Sequence, residues 1–118
     1  MTVNDIQTIL KAQVLCAGEG LDSQVHTACG SDMMSDVLAF VKDQSVLLTG
    51  LVNSQVVRTA EMMDMVCIVF VRGKCPDQEI LALAQQRGIA VLTTPYRMFT
   101  ACGKLYEAGL RGGCASDE

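Results

Sequence analysis

Met65-Val66-Cys67-Ile68-Val69-Phe70-Val71 decides the fold: seven consecutive residues are apolar, and four of them are β-branched. A half-exposed hairpin strand alternates apolar with polar residues, because successive side chains face opposite sides of the sheet. An unbroken apolar run of this length instead reads as a central strand covered on both faces, as when helices pack above and below a parallel sheet.

The sequence on either side supplies those helices. Downstream, Pro76 suits a first helical position that needs no N–H, Asp77 and Glu79 complement the helix dipole, and Arg87-Gly88 gives a basic last turn and a glycine stop. Residues 89–93 form the next strand, Pro95 breaks it, and a last helix over about 96–110 places Met98, Phe99, Cys102, Leu105 and Tyr106 along one side. Upstream, residues 45–49 read as a strand closed by Gly50, and Asn53 caps a helix carrying Val56, Val57, Ala60 and Met63.

Further upstream, Ser31 or Asp32 caps a helix whose Met34, Val37, Leu38 and Val41 recur at i, i+3, i+4 and i+7. Residues 13–16 and 24–29 read as short strands separated by the polar turn Gly18-Glu19-Gly20. Asn4 caps a first helix that carries Ile6, Ile9 and Leu10. Strand and helix alternate three times from Ser45 onward, and strands joined through helices run parallel. The expectation is an α/β protein, a three-layer α/β/α sandwich with a mainly parallel central sheet. It spans a single domain over 1–110, followed by a flexible tail over 111–118.

Composition narrows the function. A length of 118 residues with 50% hydrophobic and 19% charged side chains suits one core, with apolar surface to spare. A homodimer is the expected partner for that surface, with Met62, Met63 and Met65 as interface candidates. A net charge of −4, with basic residues scattered from Lys11 to Arg111, argues against nucleic acid. Residues 65–71 fall far short of the roughly 20 residues of a membrane span, and Asn4, Asp5 and Gln7 do not make an export signal. The expected location is therefore cytoplasmic, with the six cysteines reduced and with Cys67 and Cys102 acting as small hydrophobes.

In parallel α/β sheets, ligands bind beyond the carboxyl ends of the strands. Four segments fall there: Cys29-Gly30-Ser31-Asp32, Thr49-Gly50-Leu51-Val52-Asn53, Arg72-Gly73-Lys74 and Thr93-Thr94-Pro95-Tyr96-Arg97. Gly30, Ser31, Asp32, Thr49, Gly50, Asn53, Arg72, Gly73, Lys74, Thr93, Thr94, Tyr96 and Arg97 are the candidate ligand-binding residues, suited by hydroxyl, amide and cation to a small anion or nucleotide phosphate. The plainer reading is that the same residues are the caps and turns such a fold requires.

Cys29, with His26 three residues before it, is the one candidate nucleophile, but an odd separation along a strand sends the two side chains to opposite faces. Glycine-rich phosphate loops and dinucleotide fingerprints are absent from the sequence. Asp32 and Asp36, four apart on one helix, lack the further ligands a hard cation needs. No catalytic residue, metal or bound cofactor is expected, apart from a ligand such as an adenine nucleotide.

The run Ile80-Leu81-Ala82-Leu83-Ala84, followed by Gly88-Ile89-Ala90-Val91-Leu92-Thr93-Thr94-Pro95-Tyr96 and Phe99-Thr100-Ala101, resembles the DRTGG domain. The resemblance extends back through Met34-Ser35-Asp36-Val37-Leu38 to Ile9-Leu10-Lys11-Ala12-Gln13-Val14-Leu15. It implies a fold similar to the amino-terminal domain of the phosphocarrier protein (HPr) kinase/phosphorylase. It also implies a regulatory or dimer-forming role, as in the accessory domains found beside CBS domains in regulated pyrophosphatases and in phosphotransacetylases. Stand-alone copies of this kind accompany iron-only hydrogenase and redox genes.

The name-giving pattern is altered: its Asp-Arg segment reads Leu51-Val52-Asn53-Ser54, and its Thr-Gly-Gly segment reads Arg72-Gly73-Lys74-Cys75-Pro76. Arg and Lys there favour an anion. The expected function is a non-catalytic regulatory or interaction module, homodimeric and sensing a small anionic ligand. The alternatives are a structural subunit docking onto a redox enzyme complex of the hydrogenase type, and a thiol-dependent enzyme using Cys29.

Overall fold

One sheet of five strands organises the computed structural model of the chain, which describes residues 1–39 and 43–113. The order along the chain is α1 (Val3–Leu10), β1 (Gln13–Ala17), β2 (Thr27–Gly30), α2 (Met34–Leu38), β3 (Ser45–Thr49), α3 (Ser54–Met62), β4 (Cys67–Phe70), α4 (Gln78–Gln86), β5 (Ala90–Thr93) and α5 (Met98–Glu107). Across the sheet the order is β1-β5-β4-β3-β2. The strands from β2 to β5 pair in parallel, and β1 adds to the far edge antiparallel to β5.

The apolar run at 65–71 therefore supplies the middle strand. All four β4 residues are fully buried, and the alternation of a strand splits them between two cores. Ile68 and Phe70 join Val37, Val57, Ala60 and Ala84 beneath α2, α3 and α4. Cys67 and Val69 join Ile6, Leu10, Ala101 and Leu105 beneath α1 and α5. Two apolar layers, one on each sheet face, make the mixed α/β/α sandwich.

Several helix ends differ from the sequence reading, each for a local reason. Thr2, not Asn4, caps α1: Thr2 Oγ1 accepts from Asp5 N at 3.1 Å while Asp5 Oδ2 accepts from Thr2 N at 2.9 Å. This reciprocal capping box satisfies two backbone donors at once. Met33 occupies the cap position of α2, because Ser31 Oγ takes Met33 N at 3.0 Å and Asp32 turns toward β3. Asp32 and Asp36 therefore do not share a helix, and Val41 lies outside the described residues. Asp77 caps α4 through Ile80 N at 3.0 Å, which places Pro76 one position before the cap.

The buried side of α5 is carried by Ala101 and Leu105, whereas Phe99 and Tyr106 are 89% and 53% exposed, so the apolar stripe is rotated from the one read in the sequence. Met63 and Met65 are core residues and only Met62 of that trio is exposed. Gly18 adopts φ +58°, and a Cβ there would collide with the backbone of Ile89 and Ala90, so only glycine fits. After α5, Ala28 N donates to Arg111 O at 3.0 Å on the outer edge of β2. The Arg111 guanidinium stacks 3.8 Å from the Tyr106 ring centre. Residues 114–118 of the expected tail, with Cys114, lie outside the described residues.

Candidate functional site

Four parallel strands end at the same edge of the sheet, and backbone hydrogen bonds lace their loops together. Ser31 N donates to Leu48 O at 3.0 Å, Val71 N to Thr49 O at 3.0 Å, Arg72 N to Tyr96 O at 2.8 Å and Gly73 N to Thr94 O at 2.7 Å. The candidate residues nonetheless divide into two groups, with a remainder that serves the fold.

The first group is Asp32, Thr49, Gly50 and Arg72. Asp32 Oδ1 accepts from Gly50 N at 2.6 Å and from Thr49 Oγ1 at 3.1 Å. Thr49 Oγ1 in turn accepts from Leu51 N at 3.1 Å, which leaves its own proton for Asp32. Arg72 has φ +59°, and its guanidinium extends over Gly50, where a Cβ would lie 2.9 Å from Nη2 and 3.5 Å from Asp32 Oδ1. Glycine at position 50 is thus what lets a cation and a carboxylate approach the same amide.

The second group is Gly73, Thr93 and Thr94, which line an open cavity of about 270 Å³ with Lys11, Gln13, Cys75 and Pro95, and Lys74, joined to it through its carbonyl. Thr93 Oγ1 donates to Lys74 O at 2.7 Å. Thr94 is fully buried: Oγ1 donates to Leu10 O at 2.7 Å and accepts from Tyr96 N at 3.3 Å. Lys11 and Gln13 reach this edge because β1 runs against β5, a pairing direction that no local pattern in the sequence specifies.

The remaining candidates do other work. Asn53 caps α3, accepting from Val56 N at 3.2 Å. Gly30 faces α5, where a Cβ would lie 2.7 Å from Cys102 Sγ, and it borders a separate cavity of about 210 Å³ with Ala28, Leu48, Leu105 and Leu110. Ser31 closes its own turn. Tyr96 offers its ring to Lys104 Nζ, 5.1 Å from the ring centre, and Arg97 sits exposed at the start of α5. Among the described residues, Arg87 forms an ion pair with Glu61 and His26 hydrogen-bonds Asp43, and no ion pair engages Lys11, Arg72, Lys74 or Arg97.

Cys29 and His26 are not arranged as nucleophile and base. Burial pushes the Cys29 thiol up to about 11, and the neighbouring Cys102 and Asp36 push in the same direction. His26 Nδ1 instead lies 3.2 Å from Asp43 Oδ1. Burial also raises Cys16, Cys67 and Cys102, the opposite of an activated thiolate. Among the described residues no three His, Cys, Asp or Glu side chains gather as a metal site, and no helix is long and apolar enough to cross a membrane.

The family model of the DRTGG domain matches residues 5–108, nearly the whole described fold. The chain belongs to the DRTGG domain family. This DRTGG domain is similar to the crystal structure of the CBS and DRTGG domains of the regulatory region of Clostridium perfringens pyrophosphatase, complexed with its activator diadenosine tetraphosphate. The TM-score is 0.70 at 20% sequence identity, a likeness of fold. The match covers 88% of this chain and 45% of that one. No curated protein matches this DRTGG domain at a significant level.

Proposed function

We propose that the chain is a non-catalytic regulatory module that binds a small anion, such as an adenine nucleotide, at the carboxyl edge of its parallel strands. The observation carrying this reading is that Arg72, Lys74, Lys11 and Arg97 all lie in the loops at one edge of the sheet, without ion-pair partners among the described residues, in a chain of net charge −4. Cations left unpaired in an acidic protein are suited to hold a negative ligand, because a phosphate forms charge-assisted bonds with them that water does not match. The pyrophosphatase region of the same fold carries diadenosine tetraphosphate as activator, which supports an adenine nucleotide as the first class to test.

The thiols stand against a catalytic alternative, since a nucleophile requires a lowered pKa and Cys29 has a raised one. Homodimerisation is the second part of the proposal. It is supported by Met33, Leu38 and Met62, large apolar side chains that remain exposed at α2 and α3, on one face of the sheet.

Isothermal titration of the whole chain with AMP, ATP and diadenosine tetraphosphate tests the ligand. Binding by at least one is expected, weakened about 10- to 100-fold by Arg72→Ala, the worth of a lost charge-assisted bond. Silence toward all three at millimolar concentration overturns the ligand reading. Sedimentation tests the dimer, and a monomer at micromolar concentration removes that part.

A further inference from the structure

We infer that Asp32 is a built-in competitor for the anion. Its carboxylate occupies a receptor made by the Gly50 amide and the Thr49 hydroxyl, while the Arg72 guanidinium lies over the same glycine without an ion pair to Asp32. A ligand's phosphate enters by displacing Asp32. The inference rests on the anion-binding reading above and adds its regulation.

The receptor is defined by what it already holds. A carboxylate oxygen sits 2.6 Å from a backbone N–H and 3.1 Å from a hydroxyl whose proton is aimed at it, and the Arg72 guanidinium extends over the glycine that carries that N–H. A phosphate asks for the same amide and hydroxyl, and for the cation that Arg72 supplies beside them. Asp32 is exposed, and it lies in the irregular segment between the end of β2 and the start of α2.

Few buried side chains hold that segment. The α2 helix has five residues, no side-chain cap at its start and only Met34 and Val37 buried. Met33 and Leu38, at its two ends, are 60% and 45% exposed. When the ligand takes the place of Asp32, residues 31–38 lose the Asp32 tie to the β3 loop while keeping the Ser31 N–Leu48 O bond, and two apolar side chains change position. Occupancy of the site is thereby converted into a change of surface that a partner reads. The cost is affinity, because only the fraction of molecules with Asp32 withdrawn accepts the ligand.

The test compares the whole chain with Asp32→Ala, reading the Gly50 amide by ¹⁵N NMR and titrating with inorganic phosphate and then ATP. We expect phosphate to shift Gly50 in Asp32→Ala at concentrations that leave the native chain unmoved. ATP should bind the variant about tenfold more tightly, and in the native chain ATP should speed amide exchange across residues 31–38. Asp32→Asn, which keeps the side-chain volume without the charge, should fall between the two and serves if the alanine variant unfolds.

Phosphate at Gly50 of the variant with ATP binding neither protein upholds the competitor and removes the nucleotide. Equal ATP affinity for both proteins, with Gly50 unmoved, overturns the competitor and leaves the nucleotide reading intact. A folded variant in which neither phosphate nor ATP reaches Gly50 overturns the inference.

Discussion

Replacing Thr94 with valine separates the two roles that a hydroxyl at the strand edge can play. The substitution keeps the shape of a fully buried side chain and deletes one hydroxyl, which donates to Leu10 O at 2.7 Å and accepts from Tyr96 N at 3.3 Å. Leu10 O is among the last carbonyls of α1, which have no partner within the helix, so Thr94 fastens the end of that helix to the end of β5. Leaving a buried polar group unpaired costs about 1–3 kcal/mol. The 3.3 Å bond is weak, so the expected loss is about 2 kcal/mol, a fall in Tm of roughly 6–12 °C for a domain of this size. Thermal melting by circular dichroism measures the loss, and Thr94→Ser should recover most of it. Titration with ATP at a temperature where both proteins are folded should give affinities equal within about twofold, because the hydroxyl points into the protein. A valine variant as stable as the native chain, or one that loses binding without losing stability, refutes the reasoning.

Other substitutions follow from the same contacts. Ile68→Ala in the fully buried middle strand should destabilise by about 2–5 kcal/mol in a denaturant titration. Asn53→Ala should cost about 1 kcal/mol through loss of the α3 cap and leave ligand affinity unchanged, since its side chain is spent on Val56 N. Because burial raises the Cys29 thiol to about 11, the folded chain holds that proton more tightly than the unfolded one. Stability should therefore fall as pH rises from the ordinary thiol value toward 11, as urea midpoints across that window would record. The raised Cys67 acts in the same direction, and a midpoint rising with pH would contradict both. A chain ending at Leu110 should show faster hydrogen exchange at the Ala28 amide, whose acceptor is Arg111 O, and unchanged exchange there would deny that the segment guards the β2 edge.

The layering was legible because hydrophobic patterning alone determines it. Residues 65–71 could be buried on both faces only between helices, and the Asn53 and Asp77 side chains mark where two of those helices begin. Patterning carries less information about direction and rotation. The antiparallel pairing of β1 brings Lys11 and Gln13 to the site edge, and nothing within residues 13–17 encodes it. Polar residues were harder still, since a hydroxyl or carboxylate near a turn has several partners within reach. Asp32 read as a cap yet bonds to Gly50, eighteen positions away, because Ser31 takes the local donor first. Thr94 read as a ligand contact yet closes a bond to Leu10 across the fold.

The most direct measurement is an ATP titration of the ¹⁵N-labelled whole chain followed by amide shifts. The account predicts that the shifts concentrate at Gly50, Arg72, Gly73 and Lys74, with smaller changes over residues 31–38. Spectra that do not move, or shifts that gather around Ala28, Leu105 and Leu110 at the other cavity, would contradict it.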